Sequence, residues 1–316
     1  MNVPRLIQIA REDPEAMRAE LIAGLTAPRA ALAPKYLYDA VGSRLFAAIT
    51  ALPEYYPTRT EAAIFRTHLS EIAAAVGPAS TLVDLGAGNC EKAARLFDAL
   101  AVRRYVAVDI SADYLKESLD RLQYQHPDMD MLGVGLDFSQ AMELPVEVGP
   151  GPRTLFYPGS SIGNFTPAEA LVFLRQVHDA CEGGALLIGV DLVKPVSVLE
   201  PAYDDALQVT AAFNRNLLLH LNRLIGSDFD IADWCHVAFF NAAASRIEMH
   251  LEAVRDARVR WPGGERRFPA GERIHTENSC KWRVDDFAAL LRDAGFSDTR
   301  VWRDEQDWFA VFAAHA

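Results

Sequence analysis

A short apolar strand running straight into a glycine turn constrains this chain more than any other feature. Thr81-Leu-Val-Asp-Leu-Gly-Ala-Gly-Asn-Cys-Glu-Lys92 reads as a strand, a turn and the start of a helix expected from Glu91 to Leu100. A second apolar run, Tyr105-Val-Ala-Val-Asp109, ends on an acid 23 positions after Gly86. Glycines let a ligand approach backbone where a Cβ would collide, and a carboxylate at that distance suits a ribose diol. The pattern belongs to sites for nucleoside-carrying cofactors. The structural alternative is an ordinary strand-to-helix turn whose glycines serve packing only.

Dinucleotide sites want a third glycine and rest a pyrophosphate on the helix start. Here that third position is Glu91, which would repel a pyrophosphate, so an NAD-dependent oxidoreductase is disfavoured. S-adenosylmethionine (SAM) has no phosphate. It carries a sulfonium, a ribose and an amino-acid tail with an ammonium and a carboxylate. Asp84 beside the turn and Lys92 just after it are compatible with that mixed charge.

Further apolar runs at 131–136, Thr154 to Tyr157 and Ala185 to Val193 alternate with helical stretches, which predicts a parallel sheet with crossover helices. Helices are also expected from Glu15 to Leu25, Gly42 to Ala51 and Thr60 to Ala75. After Val193 the rhythm changes. Pro201 to Ile225 reads as helix and Phe229 to Phe239 as mixed. Arg246 to Ala253 alternates with period two, placing Ile247, Met249 and Leu251 inward and Glu248, His250 and Glu252 outward. Pro262-Gly-Gly264 reads as a hairpin turn. The tail returns to helix (Val284 to Ala294, with Gly295 as its stop) and two strands, the usual finish of a SAM-dependent methyltransferase sheet.

The fold class is therefore α/β: a doubly wound, Rossmann-like sheet that finishes as class I methyltransferase sheets do, with a second, α+β lobe. Residues 60–196 plus 277–316 are assigned to the SAM-binding core, and 1–59 plus 197–276 to the lobe. Ligands of such sheets bind at the carboxyl edge of the strands.

Composition narrows the partners. A net charge of −12 with no sustained Lys/Arg cluster disfavours nucleic acid. The four cysteines and eight histidines show neither disulfide-framework nor metal-ligand spacing, so reduced thiols and no metal are expected. Without a signal-peptide pattern or a membrane-spanning apolar run, the chain reads as a cytoplasmic protein, not at a membrane, with a monomer as its simplest state.

Several longer passages resemble one family. They are Tyr38-Asp-Ala-Val-Gly-Ser43, Leu52-Pro-Glu-Tyr-Tyr-Pro-Thr-Arg59, Pro158-Gly-Ser-Ser-Ile-Gly-Asn-Phe-Thr-Pro167, Ala202-Tyr-Asp-Asp205, Arg246-Ile-Glu-Met249 and His275-Thr-Glu-Asn-Ser-Cys-Lys281. All are similar to the EgtD family, SAM-dependent L-histidine Nα-methyltransferases of ergothioneine biosynthesis. The resemblance runs from about Pro34 to the end of the chain. It implies a class I methyltransferase core with an α+β substrate-binding lobe, and transfer of methyl groups from SAM to the α-amine of L-histidine, giving trimethylated hercynine. The family also has members acting on tryptophan-derived amines, so the residues must decide the substrate.

For the cofactor, the resemblance implies Gly86 and Gly88 against the amino-acid tail and Lys92 near its carboxylate. It likewise implies Asp109 on the ribose and Asp137-Phe138 at the adenine. For the substrate it implies Asn164 and Tyr203 on the α-carboxylate, Tyr38 and Tyr55 near the ring and amine, and Met249 as a packing neighbour. Tyr56 rivals Tyr55 for its role, and Asn89 and Cys90 receive none. Glu277 and Ser279 discriminate. Two apart on an extended segment, they point the same way, and together they can accept from and donate to the two nitrogens of an imidazole. An indole offers one donor and no acceptor, so a buried Glu277 would stay badly solvated against it. No catalytic acid or base is assigned, because positioning and exclusion of water can carry an in-line methyl transfer. Two other classes remain in view: the same chemistry on another amine, and a SAM-binding module without turnover.

Overall fold

The computed structural model describes residues 2–9, 13–139 and 142–316. The chain divides into two compact units. One comprises Met1–Ala10, Pro57–Val193 and Lys281–Ala316, and the other Arg11–Tyr56 and Lys194–Cys280. In chain order the strands are β1 (Arg5–Gln8), β2 (Thr81–Leu85), β3 (Arg104–Asp109), β4 (Asp130–Gly135), β5 (Thr154–Tyr157) and β6 (Ala185–Asp191). Then follow β7 (Trp234–Asn241), β8 (Arg246–Ala253), β9 (Ala257–Trp261), β10 (Gly264–Phe268), β11 (Arg273–Cys280), β12 (Ser297–Arg303) and β13 (Phe309–His315).

The first unit is built on an eight-stranded sheet in the order β1-β4-β3-β2-β5-β6-β13-β12. Neighbours from β1 to β6 are parallel, and β13 runs antiparallel to both β6 and β12. Every residue of β2, β5 and β6 is buried, as expected of parallel strands covered on both faces. The order grows outward from β2 in one direction and from β5 in the other. The topological switch point therefore lies between these two strands, and the glycine turn and the Pro158–Asn164 turn both leave the sheet there.

Several sequence expectations differ from what is found here. Residues 277–280, assigned to the core, belong to the second unit. Arg5–Gln8, read with the other lobe, pairs in parallel with β4 as an edge strand; four residues carry too little pattern to announce it. The helix expected from Glu91 to Leu100 spans only Glu91–Ala94. Beyond it the backbone closes on tighter turns, with Leu96 N–H to Ala93 O at 2.9 Å and Phe97 N–H to Ala94 O at 3.3 Å. Leu96, Phe97 and Leu100 still reach the core, so the helical stripe survives without the full helix. The helix read from Pro201 begins instead at Val209 and runs to Ile225. Asp205 explains the delay: its carboxylate caps the N–H groups of Val209 at 3.0 Å and Thr210 at 2.8 Å.

The second unit carries a three-stranded antiparallel sheet, β11-β8-β7, the β9–β10 hairpin, and helices Pro14–Thr26, Ala40–Ile49 and Val209–Ile225. Along β8, Ile247, Met249 and Leu251 are all buried, as their alternation requires. Glu248 is buried too, because partners on the opposite face cover it. β11 has an irregular register between His275 and Glu277: His275 faces His250, Glu277 faces Met249, and Thr276 is the extra residue of a bulge. Directly paired residues share a face, so Glu277 and Ser279 join Met249 and Ile247, while His275 joins His250.

Candidate active site

The glycine turn is held open by its neighbours. Gly86 and Gly88 both sit at positive φ, 72° and 52°, where a side chain would be strained. Asp109, half-buried at the end of β3, accepts from Gly88 N–H at 3.0 Å and from Ser111 N–H at 2.9 Å. Asp137 and Phe138 follow β4, the next strand along, and the Phe138 ring meets Tyr157 edge-on at 5.9 Å. Gly86, Asp109 and Asp137 thus leave three adjacent parallel strands at one sheet edge, spaced by roughly 4.8 Å per strand.

Around the turn the charges are mostly acidic. Asp84 is the one acid within the fully buried β2. Tyr105 donates its hydroxyl to Asp84 Oδ2 at 2.8 Å; among the described residues, Oδ1 has no hydrogen-bond partner. Burial pushes the Asp84 carboxyl up to about 7, with the Tyr105 hydrogen bond and the Lys92 charge pulling against it. Lys92 is paired at 2.7 Å with Glu61, a residue to which the sequence reading gave no role. A cofactor bearing a sulfonium and an ammonium suits such carboxylates, whereas a pyrophosphate would not. The left-handed glycines and the partnerless Asp84 oxygen therefore fit SAM.

On the other side of the switch point, the Pro158–Pro167 passage has a structural logic of its own. Ser160 adopts φ 60°, and its hydroxyl accepts from Asp191 N–H at 2.8 Å. Asn164 ends the single 3₁₀ turn Ser161–Asn164. Thr166 and Glu169 then form a capping box that starts the helix Pro167–Cys181. Asn164, half-buried, closes that turn two residues before the helix cap Thr166.

In the second unit, most of the proposed substrate residues converge. Tyr203 shares a 2.7 Å hydrogen bond with Ser279. Its ring meets Tyr55 edge-on at 6.3 Å, and Phe46 links Tyr55 (6.1 Å) to Tyr38 (5.5 Å). Glu277, 8% exposed, lies opposite Met249 on the same sheet face as Ser279. The Tyr56 hydroxyl accepts from Lys194 at 2.8 Å, and the Lys194 ammonium also lies 4.4 Å from the ring centre. Asn164 and the cofactor residues belong to the first unit.

Sequence reasoning missed His236. Its Nε2 donates to the Tyr203 carbonyl at 2.8 Å, and its Nδ1 meets the Asn214 amide at 2.9 Å. Burial lowers its pKa, so the ring is neutral with Nε2 protonated. It anchors the backbone of Tyr203, and only the fold brings these residues together. Pattern spacing also missed Glu248, His250 and His275, whose side-chain atoms lie within 4.8 Å of one another on the far sheet face. There Glu248 is occupied by Arg246 at 2.7 Å, Asn241 at 2.9 Å and His250 at 3.1 Å. Burial alone would push Glu248 up, but these partners outweigh it and hold its carboxyl at about 2. Glu248 is thus committed to its ion pair with Arg246, while His275 Nε2 bonds the Asn278 side-chain oxygen at 2.9 Å.

Sequence relatives of the chain fall in one family. The sequence profile described as histidine-specific, SAM-dependent methyltransferase matches residues 17–316. The chain is 44% identical to the histidine N-alpha-methyltransferase of Mycolicibacterium smegmatis, over 95% of each protein. It is 42% identical to the protein of that name from Mycobacterium tuberculosis, over 95% of this chain and 94% of the relative. It is also 29% identical to ergothioneine biosynthesis protein 1 of Neurospora crassa, across 84% of this chain but 31% of that longer protein. With the doubly wound sheet, the SAM-compatible turn and a profile match over almost its whole length, this chain belongs to the SAM-dependent, histidine-specific methyltransferase family.

Proposed function

We propose that this enzyme transfers methyl groups from SAM to the α-nitrogen of L-histidine, three in succession, giving hercynine, the first step towards ergothioneine. SAM supplies an electrophilic methyl group, and the chain supplies position. Gly86, Gly88 and Lys92 hold the amino-acid end of the cofactor, Asp109 the ribose, and Asp137 with Phe138 the adenine. Asn164 and Tyr203 bind the substrate carboxylate, while Tyr38, Tyr55 and Met249 shape the space for ring and amine.

The observation that carries the histidine reading is the shared face of Glu277 and Ser279, with Tyr203 bonded to Ser279. A hydroxyl has one proton. If Tyr203 donates its proton to the substrate carboxylate, Ser279 donates to Tyr203 and accepts from one ring N–H, while Glu277 accepts from the other. If Tyr203 donates to Ser279, Ser279 donates to the bare ring nitrogen and Glu277 takes the N–H. The histidine ring satisfies the first arrangement as imidazolium and the second as neutral imidazole, and indole satisfies neither. Tethering by carboxylate and ring leaves the amine able to turn, which permits repeated transfer in one pocket. The names of the mycobacterial relatives support the same substrate.

A competition assay tests it. With SAM and an equimolar mixture of the common amino acids and their decarboxylated amines, histidine should be the methylated species. Preferential methylation of tryptophan, tryptamine or histamine would overturn the reading.

A further inference from the structure

Glu61 lies on the helix Tyr56–Val76 with its side chain 2% exposed. Its two oxygens face different ways. Oε2 accepts from the Lys92 ammonium and Oε1 from Gly159 N–H, each at 2.7 Å. Lys92 follows the glycine turn after β2, and Gly159 opens the turn after β5, so one carboxylate ties together the two turns at the switch point. Room for it is built in: a Cβ on Gly189 of β6 would lie 2.1 Å from Oε1. A buried carboxylate is costly to desolvate, and helix packing at this position would be served by an apolar side chain. A charge retained here points to the site it holds.

We propose that Glu61 is a positioning residue for methyl transfer, aiming Lys92 at the carboxylate of SAM while holding the Pro158–Asn164 turn at its first glycine. An ammonium has three donors, so one given to Glu61 leaves two for a cofactor carboxylate. A lysine stem is flexible, and its ion pair removes the freedom that binding would otherwise have to remove. The inference rests on the reading of Lys92 as a cofactor ligand.

The test is a calorimetric titration of wild type, Glu61→Gln, Lys92→Met and the double variant with SAM and with S-adenosylhomocysteine. The glutamine side chain keeps the length and an acceptor for Gly159 but turns a donor towards Lys92. SAM affinity should fall about tenfold in Glu61→Gln and in Lys92→Met, and the double variant should bind no worse than the weaker single. KM for SAM should rise with the binding loss while KM for the acceptor stays within twofold. Wild-type affinity in Glu61→Gln, or losses that multiply in the double variant, would overturn the proposal. Unchanged affinity in Lys92→Met would overturn it by removing Lys92 from the cofactor's ligands, while SAM itself stands as the cofactor. Should Glu61→Gln not fold, Gly189→Ala displaces the carboxylate from the other side and must reproduce the weakened SAM binding.

Discussion

Two buried carboxylates, Glu277 and Asp84, carry different expectations. Glu277 is proposed to accept from the substrate ring, a charged hydrogen bond contributing about 1.5–3 kcal/mol. Glu277→Ala should therefore raise KM for histidine by roughly 10- to 100-fold, while S-adenosylhomocysteine affinity stays within twofold. Equal losses of both would remove Glu277 from the ring contact. Asp84 ionises at about 7 in the fold against 3.8 for the ordinary carboxyl. The folded state binds the proton more tightly, so its contribution is fully present below about pH 4 and lost as pH rises through 7. Asp84→Asn removes that titration. Urea unfolding should show the variant gaining on wild type by on the order of 4 kcal/mol between pH 4 and 8, and a constant difference would contradict the burial argument. The residue types of both sites were legible in the sequence. Glu61 and His236 were not, because an ion pair across 31 positions and a ring bonded to a distant carbonyl leave no spacing to read.

At the scale of elements, the bulge in β11 decides which way the substrate residues face. By simple alternation His275, Glu277 and Ser279 would share a side; the extra Thr276 sends His275 to the opposite face and leaves Glu277 with Ser279. Thr276 is fully buried, and its hydroxyl donates to the Met249 carbonyl at 3.1 Å, which ties the bulge to β8. Thr276→Val keeps the shape and removes that bond. Unfolding in urea should show a loss of about 1–2 kcal/mol, with a raised KM for histidine; an unchanged KM would mean the bulge does not orient Glu277. The alternating strands and helices of the sheet unit were readable because hydrophobic runs and glycine punctuation are local signals. The bulge, the shortened helix after Cys90 and the edge strand β1 were not, since each depends on partners far along the chain.

Across the whole chain, the return to the sheet unit is marked by a buried ion pair. Lys281, immediately after β11, lies 2.7 Å from Asp191 at the end of β6, both side chains at most 1% exposed. Trp282 N–H also donates to the Asp191 carbonyl at 3.0 Å. Breaking one partner of such a pair costs about 3–5 kcal/mol, so Lys281→Met should lower Tm markedly, and adding Asp191→Asn should restore part of it. A double variant no more stable than the single would show that the charge pairing is not what the fold requires. The proposed reaction makes three methyl transfers to one nitrogen of one amino acid, and product mass spectrometry over time tests it most directly. Histidine incubated with excess SAM should pass through one and two added methyl groups and end at three, with fragmentation placing all three on the α-nitrogen. A reaction that stops at one methyl group, or a methyl group found on the ring, would contradict it.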